Sequence, residues 1–226
     1  MVTALVLRDV HVKVGGFVIL RGVNLEVPGD TIVGLVGRNG AGKTTTLRSI
    51  VGLVPVVSGS ITLDGHELTR VAPHRRPALG LGYLPGYLPE DRRLIGSLTV
   101  EENLLLPVWA TGRRVGADRL SLLYELMPEL TALAGRRAAS LSGGQQKMVS
   151  LGRAMMTSSK LLLLDEPLEG LSPVLSRRLA DVIRSLRGTA VLVTESDLNR
   201  MKMMTDRIHT IERGEIARAA AGVGPK

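Results

Sequence analysis

"TIVGLVGRNGAGKTT", residues 31–45, opens on apolar and β-branched residues and passes into a run with glycine at 37, 40 and 42. Residues 31–36 read as a buried strand, and apolar-periodic spacing from about Lys43 to Gly52 reads as a helix. The loop between them, GRNGAGKT at 37–44, fits G-x-x-x-x-G-K-[ST]. Glycines there let backbone N–H groups wrap a polyphosphate, and the helix N-terminus adds the positive end of its dipole. A lysine at 43 reaches the β- and γ-phosphates, and a hydroxyl at 44 can ligate Mg²⁺. Gly37, Arg38, Asn39, Gly40, Ala41, Gly42, Lys43, Thr44 and Thr45 are therefore the candidate phosphate-binding residues.

Upstream of this loop the chain alternates apolar and polar residues, as in LVLRDVHVKV (5–14), and reads as short antiparallel strands. Downstream, GSITLDGHEL (59–68) reads as a strand and a glycine turn, and LGLGYLPGYLPE (79–90) as a strand end extended by a GYLP duplication. From about Thr99 to Lys160 the apolar spacing becomes helical, as in TVEENLLLPVW and DRLSLLYELMPEL. KLLLLDE (160–166) reads as a buried parallel strand ending in two carboxylates, followed by a helix from about Pro173 to Arg187. VLVTESDLNR (191–200) is a further strand with a polar tip, and RIHTIERGEIAR (207–218) a hairpin around Gly214. The expected fold is α/β: a phosphate-loop hydrolase core on a mostly parallel sheet, with an N-terminal antiparallel β subdomain and an inserted helical subdomain. All 226 residues are expected in one domain, 1–98 and 161–226 forming the core with its β subdomain and about 99–160 the helical insert. Ligands on such a sheet bind at the carboxyl ends of its strands.

Composition narrows the function. Aromatic residues make up 2% and hydrophobic residues 44%, so aliphatic side chains and methionine must fill the core. The absence of cysteine excludes disulfides, thiol nucleophiles and thiolate metal sites. The longest apolar run, 50–57, contains Gly52 and Pro55 and is far short of the ~18 residues that span a bilayer. The N-terminus has no basic segment of the kind that opens a signal peptide. A formal charge of +8 admits an anionic partner, but the arginines are scattered, with no basic run or aromatic platform. No nucleic-acid partner is expected.

The carboxylates at the end of KLLLLDE complete a site. Beside a phosphate loop, Asp165 can hold the Mg²⁺ shell, and Glu166 can orient or deprotonate an attacking water. LSGGQQ follows at 141–146, EGLSP at 169–173 and DRIHTIERGEI at 206–216. With the phosphate loop upstream, these motifs, in this order, resemble the nucleotide-binding subunits of ABC proteins over almost the whole chain. The resemblance implies an ATPase that drives transport with ATP and Mg²⁺. It implies transmembrane permease subunits as partners, at the cytoplasmic face of the membrane. It also implies a second ATP-binding subunit, identical or not, docked head to tail, with Ser142, Gly143, Gly144 and Gln145 completing the ATP site of that copy. PHRRPALGLGYLP, PEDRR, LTVEENLLL and LDEPLEGLSPVLSRRL are similar to the branched-chain amino acid importers and their close relatives. A soluble ABC ATPase and a low-turnover regulatory cassette are the competing readings.

Three positions depart from the common family pattern. A glutamine usually follows the strand at 81–84. Glu90 matches it here, as a contact for Mg²⁺ or water or as an ordinary loop acid, and the duplication makes Gly86 the other candidate. An adenine-stacking aromatic is replaced by Val14, with Phe17, the only phenylalanine, nearest in sequence. The histidine that contacts the γ-phosphate is replaced by Ser196, which can donate a hydrogen bond or cap the helix that follows. Elsewhere, Met201, Met203 and Met204 are expected to pack at a helix end, and Arg75 and Arg76 to be surface charges. Trp109 faces either a membrane partner or a subdomain core.

Overall fold

The computed structural model describes residues 3–86, 94–112 and 117–217. The alternating N-terminal sequence forms two antiparallel strands, β1 (Thr3–Val14) and β2 (Phe17–Pro28), each longer than the short strands expected. Their length survives a break in pattern. Leu5 and Leu7 face the core, and then Val10 and Val12 do. The change of parity falls at Asp9, whose φ is +48°, where the register with β2 shifts. A bulge therefore keeps both halves of β1 buried on one face. Strands β4 (Val56–Leu63) and β5 (His66–Glu67) complete a sheet ordered β2-β1-β4-β5.

The second sheet runs β10-β9-β3-β8-β7-β6. Strands β3 (Ile32–Val36), β6 (Leu81–Leu84), β7 (Leu161–Asp165), β8 (Ala190–Glu195) and β9 (Ile208–Glu212) are parallel, and β10 (Glu215–Ile216) returns antiparallel at the edge. All residues of β7 and β8 are buried, as strands covered on both faces must be. One face packs against the antiparallel sheet and α1 (Lys43–Val51) through Leu35, Leu47, Leu163 and Leu192. The other packs against α5 (Gly143–Thr157) and α6 (Pro173–Ser185) through Val149, Leu162, Leu164 and Leu179. Helices α2 (Val100–Thr111), α3 (Ala117–Leu126), α4 (Pro128–Leu133) and α5 fall between β6 and β7, where the helical spacing had placed them.

Helix α7 (Leu198–Lys202) is capped by Asp197, whose carboxylate accepts from the Arg200 N–H at 2.9 Å. Ser196 is therefore not the cap. Met201 and Met204 are buried beyond it, as expected. Arg76 overturns its assignment as a surface charge. It is buried, and it donates to the carbonyls of Ser49 and Ile50 at the C-terminal end of α1 and to Val71. A guanidinium there satisfies carbonyls that a helix end leaves open. Arg75 and Trp109 are exposed. Among the described residues, no helix is long and apolar enough to cross a membrane.

Candidate functional site

The carboxyl ends of β3, β6, β7 and β8 meet at one point. β3 delivers the phosphate loop, β7 Asp165 and Glu166, β8 Thr194 through Ser196, and β6 leads to Gly86. A cavity of about 470 Å³ opens there, lined by residues that include Asn39, Lys43, Thr44, Thr45, Asp165 and Glu166. Gly86, one of the two candidates for the position after β6, also lines it, close to the Asp165 carboxylate. Glu90 itself lies outside the described residues.

The loop is built to keep backbone donors free. Gly42 precedes α1 at φ +112°, and a side chain there would collide with Leu20. No side chain caps α1, and its first turn carries no acid, so N–H groups at its positive end remain open to an anion. The loop is braced from outside by the Gly214 N–H on the Ala41 carbonyl at 2.9 Å. Lys43, 4% exposed, donates to the Gly37 carbonyl at 2.7 Å and the Arg38 carbonyl at 3.2 Å. Its ammonium also lies 3.2 Å from the Glu166 carboxylate.

Asp165 is almost wholly buried. Burial pushes its pKa up, while hydrogen bonds from Thr194 and Thr44 pull it down. The Thr194 hydroxyl donates to Asp165 Oδ1 at 2.6 Å, and Oδ2 is buried with no hydrogen-bond partner. A buried carboxylate oxygen without a donor, next to a threonine hydroxyl, suits a hard divalent cation. Among the described residues no cluster of three or more acids or imidazoles could hold a metal alone, so phosphate oxygens would have to complete the shell. Glu166 has φ +46°, an uncommon conformation for a residue with a side chain. Glu195 is fully buried, and its Oε1 accepts from the Leu168 N–H at 3.1 Å. Burial raises its pKa to about 7.

Ser142, Gly143, Gly144 and Gln145 start α5 and do not line this cavity. The Ser142 hydroxyl accepts from the Gln145 N–H at 3.3 Å, and the Gln145 side chain accepts from the Ser142 N–H at 2.9 Å. That reciprocal cap uses an oxygen lone pair of Ser142 and leaves its proton to donate outward. Ser196 is exposed, one residue beyond β8. Val14 pairs with Phe17 across the β1–β2 turn, and both are exposed. Neither lines the cavity, but Ile19 does, a contact that sequence reasoning missed. Lys147, whose ammonium donates to the Glu166 and Glu169 carbonyls, and Thr194, which donates to Asp165, were also missed, because nothing in their local sequence shows what lies across from them.

A phosphate loop between strand and helix, facing a strand-end aspartate on a parallel sheet, defines the P-loop nucleotide-binding proteins. Within that class, the family pattern described as "ABC transporter" matches residues 20–169. A probable branched-chain amino acid transport ATP-binding protein, LivF of Archaeoglobus fulgidus, is 35% identical over 88% of this chain and 84% of its own. The high-affinity branched-chain amino acid transport ATP-binding protein BraG of Pseudomonas aeruginosa is 37% identical over 87% of this chain and 84% of its own. The lipopolysaccharide export system ATP-binding protein LptB of Acidithiobacillus ferridurans is 34% identical over 90% of this chain and 84% of its own. A solved bacterial ABC transporter cassette, described as dimeric, superposes with a TM-score of 0.80 at 25% identity, covering 95% of this chain and 97% of that one. The chain belongs to the ABC transporter family, as an ATP-binding subunit that hydrolyses ATP to drive transport.

Proposed function

We propose that this subunit binds Mg–ATP in the β3–β7 cavity. It acts as a head-to-tail dimer beneath membrane permease subunits at the cytoplasmic face, with branched-chain amino acids or related small solutes as cargo. One observation carries the reading. Lys43, Asp165 and Glu166 converge on one cavity, while the signature residues from Ser142 to Gln145 do not line it and would need a second copy to reach a nucleotide.

Lys43 and the open N–H groups of α1 bind and orient the phosphates. Asp165 Oδ2 and the Thr44 hydroxyl would hold Mg²⁺, which neutralises phosphate charge in phosphoryl transfer. Glu166 accepts the proton of the attacking water or orients that water, at the end of a fixed strand. Ser142 of the second copy donates its hydroxyl proton to the γ-phosphate, and Ser196 adds a neutral hydrogen bond once the dimer has closed. Residues 99–160 serve as the helical subdomain of a single ATP-binding domain. A permease contact is favoured at the apolar groove of about 520 Å³ between α1 and α2, where Leu53 is exposed and Leu106, Pro107 and Tyr83 form the wall. β6 connects that wall to Gly86 and so to Asp165.

The likeness to LptB supports a second reading, in which the same engine drives export. Co-expression with its permeases, followed by uptake and efflux assays with labelled leucine, tests both. Leucine uptake lost on Lys43→Ala is expected. An assembled transporter that moves no branched-chain amino acid would overturn the cargo assignment, and ATP affinity unchanged by Lys43→Ala would overturn the binding site.

A further inference from the structure

Lys147 is the fifth residue of α5 and is 2% exposed. Its ammonium crosses from the signature helix to the segment after β7, donating to the carbonyls of Glu166 at 3.0 Å and Glu169 at 2.7 Å. Burying an ammonium is costly, and an apolar side chain of similar length would fill the space without that cost. The charge is therefore explained by what it holds. Glu166 carries a left-handed φ of +46°, which persists only where its surroundings enforce it. Its N–H donates to the Thr194 carbonyl at 3.1 Å, with the Thr194 hydroxyl also within 3.3 Å, and its carbonyl accepts from Lys147 at 3.0 Å and from the Glu169 N–H at 3.2 Å. Both backbone polar groups of Glu166 are thus tied, one to β8 and one to α5. Two residues on, the Leu168 N–H is held by Glu195.

We propose that Lys147 is a positioning residue for Glu166, holding its strained backbone in the hydrolytic geometry and linking that geometry to the signature helix. The inference rests on the reading of Glu166 as the water-activating carboxylate. Because Ser142 caps the same helix, any movement of α5 as Ser142 meets a nucleotide in the second copy is passed through Lys147 to Glu166 of its own site. Each signature thereby influences two sites: the one it completes, and the one whose carboxylate its helix holds.

The test is a double-mutant cycle on the full-length chain. Lys147→Met keeps length and packing and removes all three donors. Its kcat should fall about tenfold or more, the scale on which a misplaced reacting group is felt. The Kd for a fluorescent ATP analogue should stay within about twofold, because no phosphate contact is lost. Lys147→Gln, which keeps two N–H donors, should recover most of the rate. In a Glu166→Gln background, Lys147→Met should add nothing to the residual single-turnover rate, since it acts through the carboxylate already removed. If Lys147→Met does not fold, Lys147→Leu takes its place in the cycle. A kcat within about twofold of the parent, a loss that adds fully in the Glu166→Gln background, or a fall in ATP affinity in step with rate would overturn the proposal. If Glu166→Gln alone turns over at the parent rate, the assignment of Glu166 fails, and the role of Lys147 fails with it.

Discussion

Glu195 is a carboxyl group held out of water at the tip of β8, facing the Glu166 carboxylate, Lys147 and Arg200. Burial raises its pKa from 4.5 to about 7, with Glu166 adding to the rise and the two cations opposing it. Between those values the folded chain binds more protons than the unfolded one, so this residue's contribution to stability falls as pH rises and is lost above about pH 7. The penalty at high pH is on the order of 3 kcal/mol at most, at 1.36 kcal/mol per unit. Glu195→Gln should therefore raise the melting temperature over the parent at pH 8.5 and match it near pH 5. A difference that does not change with pH would contradict the assignment. Ser196 offers a cleaner test than its sequence suggested, because Asp197 caps α7. Ser196→Ala should leave the melting temperature unchanged and slow hydrolysis about two- to tenfold, as expected for a neutral hydrogen bond worth about 0.5–1.5 kcal/mol. Parent-level hydrolysis by this variant would exclude a phosphate contact. The meeting of Lys43, Thr44, Asp165 and Glu166 in one cavity was legible because the loop's spacing suits a phosphate and the two acids end a buried strand. Lys147, Thr194 and the buried Arg76 were not, because their partners lie 19, 29 and 27 residues away in sequence and meet them only in the folded chain.

At the scale of elements, α5 joins two tasks in one residue: Ser142 caps the helix and presents its hydroxyl outward. Substitution can separate them. Ser142→Ala should destabilise the protein by about 1 kcal/mol through the lost cap. Ser142→Asp keeps a good cap at the positive end of a helix, so the melting temperature should hold. It also sets a negative charge where the γ-phosphate of the second copy is expected, so ATP-dependent dimerisation should vanish. Dimerisation by the aspartate variant at the parent level would show that the signature does not meet a phosphate. Period and spacing located every strand and helix around this site, including the helical stretch after β6. The length of β1 was hidden because the Asp9 bulge reverses the apolar parity midway, so that one strand reads as two. The GYLP duplication hides the register after β6 for a related reason: a repeated tetrapeptide offers two equal alignments, of which Gly86 lies beside Asp165 and Glu90 lies outside the described residues.

At the scale of the whole molecule, the proposed site is divided between two places in the chain that share no cavity. The phosphate loop with Asp165 and Glu166 forms one, and the Ser142 end of α5 forms the other. Two copies related head to tail would bring each half to its complement, and on the proposed reading the dimer, rather than the chain, is the unit that hydrolyses ATP. Sequence order alone can show both halves but not their separation, which depends on how α2–α5 pack between β6 and β7. The most direct test is light scattering on the Glu166→Gln variant with Mg–ATP. Removing the carboxylate charge stops the water step and lowers repulsion toward the γ-phosphate. The 24.2 kDa chain should therefore run at twice its mass, with one unhydrolysed ATP retained per phosphate loop. A variant that stays monomeric at high protein concentration with ATP bound, or that turns over at the parent rate, would contradict the account.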